Sequence, residues 1–308
     1  MSAAEATYRT TTVAVDGGDL AVGVWGPDDP QAPTVVAIHG ITASHRCWPL
    51  VAEALPGVRV VAPDLRGRGR SADLPPPYGM ARHAADVAAV LEALTSGPVA
   101  VAGHSMGGFV AVQLAALMPE RVSRLLLVDG GLPLPAPAAP AAPAPTDPTA
   151  PAEVGDVAAA LGPAGKRLTM TFPSREAYRD FWREHPAFAA DWSPTVEAYL
   201  DYDLRGTEPE LRPSTTVEAM AADGAELFGH PGHLAALDAV AEAGLPLTFL
   251  RAPRGLMDEP EPLYPTAAVE AAAERLPLLA AYDVEDVNHY TIVMAPGGAR
   301  TVADRLRP

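Results

Sequence analysis

Three side chains far apart in the sequence are of the types that build a nucleophilic centre. They are a serine in a Gly103-x-Ser105-x-Gly107 pentapeptide, a histidine near the C-terminus, His289, and an aspartate between them. The run Val99-Ala-Val-Ala-Gly-His-Ser-Met-Gly-Gly108 places the pentapeptide after a short apolar stretch and before a helical pattern from Phe109 to Met118. A strand that turns sharply into a helix at a serine leaves the hydroxyl exposed at the C-terminal edge of a sheet, and the flanking glycines let strand and helix approach closely. A serine hydroxyl is a poor nucleophile near neutral pH; it needs a base, and the base needs an orienting acid. His289, in Val287-Asn288-His289-Tyr290, is the only one of the 8 histidines directly after the last apolar strand pattern, and is read as the base. Two aspartates compete for the third role. Asp258, in Arg254-Gly-Leu-Met-Asp258-Glu-Pro260, follows a strand ending near Ala252 and is preferred; Asp129, after the strand Leu125–Val128, is the alternative. Both lie beyond strand C-termini, so both are placed to reach His289.

Attack on a carbonyl also needs backbone N–H donors where negative charge develops. The N–H of Met106, right after the serine, is one candidate, and the N–H of Ile41, in Ile38-His39-Gly40-Ile41-Thr42, is the other. Gly40 allows that turn to approach the site and border the substrate, and His39 is read as a structural residue bonding the loop backbone. The aromatic side chains Trp182, Trp192, Tyr199 and Tyr202 are the candidates for lining a substrate pocket.

These residues need a frame that brings strand C-termini to one edge. From Thr34 to Val128 the chain alternates apolar strand patterns (Thr34–Ile38, Val58–Ala62, Pro98–Gly103, Leu125–Val128) with helical ones such as Ala81–Leu94. That alternation specifies an α/β fold with a mostly parallel sheet flanked by helices on both faces. A hairpin, Thr10–Val15 and Leu20–Trp25 around Asp16-Gly-Gly-Asp19, precedes it. The pattern stops at a stretch of Pro, Ala and Thr from 133 to 151, continues as aromatic-rich helices, and resumes at Leu234–Ala243, Leu245–Ala252, Ala267–Arg275, Ala280–Val284 and Gly297–Leu306. The expected organisation is a core of residues 1–131 and 234–308 interrupted by a helical insertion, 132–233, entered through the 133–151 stretch.

At 308 residues with 48% apolar composition the chain is long enough for one large core. The net charge of -16 excludes nucleic acid and anionic membrane surfaces as expected partners. A single cysteine, Cys47, excludes an internal disulfide. No apolar run reaches a membrane span, and the polar N-terminus lacks a signal-peptide core, so a cytoplasmic location is expected. The scattered histidines point to no metal, and no nucleotide-binding loop or other cofactor motif is present. The expected partner is a small-molecule substrate, with a homodimer left open.

His39-Gly40, Asp64-Leu-Arg-Gly67-Arg-Gly69-Arg-Ser71, the serine pentapeptide and Asn288-His289 together resemble the serine hydrolases of the α/β-hydrolase superfamily. The resemblance implies an eight-stranded sheet, Ser105 as nucleophile, His289 as base, an acid after the seventh or, in some members, the sixth strand, and an insertion that caps the pocket. A serine triad implies attack on the carbonyl of an ester, lactone or thioester, and the aromatics of the insertion point to an apolar or aromatic acyl or alcohol group. Relatives that hydrolyse carbon–carbon bonds of vinylogous diketones share the fold and triad; here that alternative needs a cation for a second carboxylate, for which Arg183 or Arg205 stand as candidates. A non-catalytic ligand-binding role is the third reading.

Overall fold

A computed structural model describes residues 7–135 and 162–308. Most of the expected 133–151 stretch lies outside the described residues. Eight strands form one sheet: β1 Tyr8–Val15, β2 Gly18–Trp25, β3 Thr34–Ile38, β4 Arg59–Pro63, β5 Val99–His104, β6 Val122–Val128, β7 Leu247–Arg251 and β8 Leu279–Asp283. Their order is β1-β2-β4-β3-β5-β6-β7-β8. The β1–β2 and β2–β4 pairs are antiparallel and the remaining pairs are parallel.

Side chains alternate between the sheet's faces along each strand. Val36, Ile38, Val61, Val101, Leu125 and Leu127 join one apolar cluster with the helices Met80–Leu94, Met106–Leu117 and Pro231–Glu242. Val35, Ala37, Val60, Ala102, Leu126 and Val128 join a second with the helices Pro49–Glu53, Thr291–Met294 and Pro296–Leu306. Strands covered on both sides must be apolar at nearly every position, which is why β3, β4 and β5 are short continuous hydrophobic runs.

Between β6 and the helix Pro231–Glu242, the described part of the insertion holds the helices Pro163–Lys166, Arg175–Arg183, Pro194–Asp203 and Val217–Gly224. A two-stranded ladder, Leu204–Arg205 against Arg212–Pro213, links two of them. Tyr178, Trp182, Phe188 and Leu200 of this segment belong to the second apolar cluster, so the segment is packed onto the sheet domain. Among the described residues no helix is long and apolar enough to cross a membrane.

Candidate active site

Ser105 sits between β5 and the helix Met106–Leu117 with φ 54° and ψ −127°, a backbone conformation that costs a non-glycine residue about 1–3 kcal/mol. The surroundings enforce it. The Ser105 N–H donates to the Val128 carbonyl at 3.0 Å, and the Gly108 N–H donates to the Ser105 carbonyl at 2.9 Å. A Cβ on Gly103 would stand 2.2 Å from the Gly107 carbonyl oxygen, so strand and helix meet at a distance only glycine permits.

His289 lies in the loop after β8, and its Nδ1 donates to Asp129 Oδ2 at 2.7 Å. Both groups are buried. Asp129 is the first residue beyond β6, with φ +46°. Its N–H is held by the Leu250 carbonyl at 2.7 Å, and its Oδ1 accepts the Ala252 N–H at 3.1 Å. The carboxylate is therefore fixed before it meets the imidazole, and the Nδ1–H leaves Nε2 as the free acceptor.

Asp258, the preferred acid from sequence, is not the partner of His289. Its Oδ1 accepts from Arg254 Nε at 2.6 Å and from Asn288 Nδ2 at 2.9 Å, and its side chain is 37% exposed. The longer loop after β7 brings Arg254 within reach of Asp258, while Asp129 leaves a strand hydrogen-bonded to β5 itself. Asp258 touches the histidine loop through Asn288, and its partner Arg254 reaches the same loop at the Asp286 carbonyl. The Asn288 side chain donates to the Ala187 carbonyl and accepts the N–H groups of Tyr290 and Thr291, bracing the histidine loop.

His104 has a place at the site that its position in the motif did not reveal. Its Nε2–H donates to the His289 carbonyl at 2.7 Å, and the two rings lie 4.8 Å apart. Burial, with His289 beside it, lowers its pKa to about 3, so it serves as a neutral donor that pins the loop.

The turn Gly40–Thr42 faces the serine. A Cβ on Gly40 would stand 3.0 Å from Ser105 Cβ, so a side chain there would crowd the nucleophile. His39 accepts the Leu65 N–H on Nε2 at 2.9 Å and donates from Nδ1 to the Gly40 carbonyl at 2.8 Å. Burial lowers this ring to about 4, keeping it neutral. Because C=O and N–H point opposite ways across a trans peptide, fixing the Gly40 carbonyl aims the Ile41 N–H away from His39. Among the described residues neither the Ile41 N–H nor the Met106 N–H has a hydrogen-bond partner.

Ser105, His289, Gly40 and Ile41 line one cleft, with Leu256, Tyr290, Val293 and Met294 as apolar walls. Of the four aromatic candidates only Tyr199 borders it. Trp182 is buried among Tyr178, Phe181, Phe188 and Tyr290. Trp192 donates to Glu197 Oε1 at 2.9 Å beneath the Arg183 guanidinium. Tyr202 donates to Asp64 Oδ2 at 2.7 Å. No Lys or Arg lines the cleft among the described residues. Arg183 pairs with Glu176, Asp180 and Glu197, and Arg205 pairs with Asp73, both away from it.

Known proteins show the same frame. Lipase LipV of Mycobacterium tuberculosis is 41% identical over 116 residues, 38% of this chain and 43% of that protein. The curated relatives that match are thus spanned over less than half their length. Among solved structures, the thioesterase domain from the curacin biosynthetic pathway superposes with a TM-score of 0.73 at 21% identity, covering 97% of this chain and 99% of that one. E-2-(Acetamidomethylene)succinate hydrolase does so with a TM-score of 0.74 at 18% identity, again covering 97% and 99%. At such identities these likenesses speak for the fold. The family model described as alpha/beta hydrolase fold matches residues 33–192, more than half of the chain, and the protein belongs to that family.

Proposed function

We propose that the protein is a serine hydrolase that cleaves an uncharged ester, lactone or thioester of an apolar or aromatic small molecule through an acyl-enzyme on Ser105. The observation that carries the reading is the buried His289–Asp129 pair, with His289, the elbow serine and Ile41 lining one cleft and the Ile41 and Met106 N–H groups unpartnered among the described residues. His289 Nε2 takes the Ser105 proton as the hydroxyl attacks the carbonyl carbon. The N–H groups of Met106 and Ile41 receive the oxyanion. The imidazolium, held by Asp129, then protonates the leaving group, and water repeats the sequence to release the acid. The segment 162–230 serves as the cap, closing the cleft through Tyr199.

The absence of a cation separates this reading from carbon–carbon hydrolysis of a carboxylate-bearing diketone. A substrate carboxylate drawn into an apolar cleft needs a paired charge. The lining residues provide none, and residues 136–161 contain no Lys or Arg. The test is a fluorophosphonate probe followed by a substrate panel. Labelling at Ser105, with kcat/KM for neutral p-nitrophenyl esters, lactones or thioesters far above that for analogues with a second carboxylate, is expected. Absence of labelling, or a preference for the dianionic analogues, overturns the proposal.

A further inference from the structure

Every carbonyl of the Gly40–Thr42 turn has a donor of its own. Gly40 is held by His39 and by the Ala43 N–H at 3.2 Å. The Ile41 carbonyl accepts from Arg68 Nε at 2.9 Å. The Thr42 carbonyl accepts from a terminal nitrogen of Arg167 at 2.8 Å. Both arginines are fully buried. Arg68 also lies 3.9 Å from Met106 Sδ, so one guanidinium touches both residues whose N–H groups have no partner among the described residues.

Each arginine is neutralised by an aspartate of the helical segment. Asp223 pairs with Arg68 at 2.5 Å and also takes His83 Nε2 and the Gly79 N–H. Burial pushes the Asp223 carboxyl up, but Arg68 and His83 outweigh it and pull it down to about 2. Asp203 pairs with Arg167 at 3.1 Å, and its other oxygen accepts from Ser214 Oγ at 2.8 Å. Ser214 Oγ in turn accepts the Gly69 N–H at 3.0 Å, next to Arg68 in sequence. The two clamps thus form one network.

A buried ion pair is a poor device for stability, because desolvation offsets most of the Coulomb gain and an apolar pair of similar volume would do as well. Two such pairs aimed at consecutive carbonyls of one turn serve geometry. We propose that Arg68 and Arg167 are positioning residues for the oxyanion site, and that Asp203 and Asp223 make that site depend on the seating of the helical segment. The inference rests on the hydrolase reading. A planar guanidinium makes several directed bonds at once, which an ammonium cannot reproduce.

The experiment uses the full chain with Arg68→Lys, Arg167→Lys, and the near-isosteric Asp223→Asn and Asp203→Asn, each checked for folding by circular dichroism and Tm. The expected result is a 10- to 100-fold lower kcat with KM within about threefold, below the roughly 100- to 1000-fold effect of losing an oxyanion donor outright because the donor is misaimed rather than removed. Affinity for a trifluoromethyl ketone, which forms the tetrahedral adduct, falls in parallel, while affinity for the matching non-reactive alcohol does not. Folded variants that keep kcat and ketone affinity overturn the proposal. So does failure of all four to fold, which would make the pairs structural. Absence of fluorophosphonate labelling in the unaltered protein sinks the hydrolase reading itself, a result distinct from labelling with indifferent variants.

Discussion

Asp129 gives one oxygen to His289 and the other to the Ala252 N–H, so its carboxylate has a single orientation. Replacing it with asparagine keeps the shape but offers an amide where an acceptor is needed, which favours the wrong imidazole tautomer. Asp129→Asn is therefore expected to lower kcat by about 10⁴, as loss of the orienting acid does in other serine triads. Asp258→Asn is expected to stay within about tenfold of the unaltered protein, because a partly exposed pair such as Arg254–Asp258 contributes only about 0–1 kcal/mol. Measured kcat/KM for the two variants decides the assignment, and the opposite ranking would refute it. Ser105 and His289 were legible in the sequence because the first carries a motif and the second follows the last strand. The acid was not. Asp129 and Asp258 both follow strands and both adopt positive φ, and the difference lies in which neighbour reaches each carboxylate first. The pocket aromatics failed for a related reason. Trp182, Trp192 and Tyr202 are of the right type, but helix packing turns each toward Phe188, Glu197 or Asp64 rather than toward Ser105.

At the scale of elements, the strands and helices given bounds from the sequence lie within three residues of the observed ones. β3 spans Thr34–Ile38 as its apolar run indicates, and the last helix begins one residue before the expected Gly297. Continuous hydrophobic strands and amphipathic helices need no knowledge of their neighbours to be recognised. Close approaches do need it, and the elbow is the clearest case. Gly97 precedes β5 and Gly103 is its penultimate residue, yet a Cβ on Gly97 meets nothing within 4 Å while one on Gly103 meets the Gly107 backbone at 2.2 Å. Gly97→Ala is expected to change stability by less than about 0.5 kcal/mol. Gly103→Ala must push the strand from the helix, with a cost of about 3 kcal/mol or more and a loss of activity beyond the loss of stability, because Ser105 moves with the helix N-terminus. Urea unfolding of the two variants, side by side, measures the difference; equal midpoints would show that the elbow is not tightly packed.

For the molecule as a whole, burial makes stability depend on pH through its histidines. Burial lowers His39, His185 and His233 to about 4 and His104 to about 3, each from an ordinary value of 6.5. A histidine that stays neutral when folded but protonates when unfolded leaves stability untouched above pH 6.5. Below it the unfolded chain binds more protons, so stability falls as the pH drops toward 4. The buried carboxylates behave differently. Asp223, at about 2, and Asp64, also depressed because His45 outweighs its burial, add stability that is lost only below the ordinary carboxylate range. Between pH 7 and 5.5 the histidines alone therefore set the slope, at about 1 kcal/mol each. The measurement is best stopped at pH 5.5, above the pI of 4.8, since a net charge near zero promotes precipitation. Urea midpoints over that interval should fall steadily, with proton uptake on unfolding approaching four at the acid end. His233→Gln retains an amide that can donate to the Gly131 carbonyl, the partner His233 Nε2 holds at 2.9 Å, and should remove one proton from that uptake without altering kcat. A midpoint independent of pH across the interval would mean that these four rings are protonated in the folded chain, contrary to their burial.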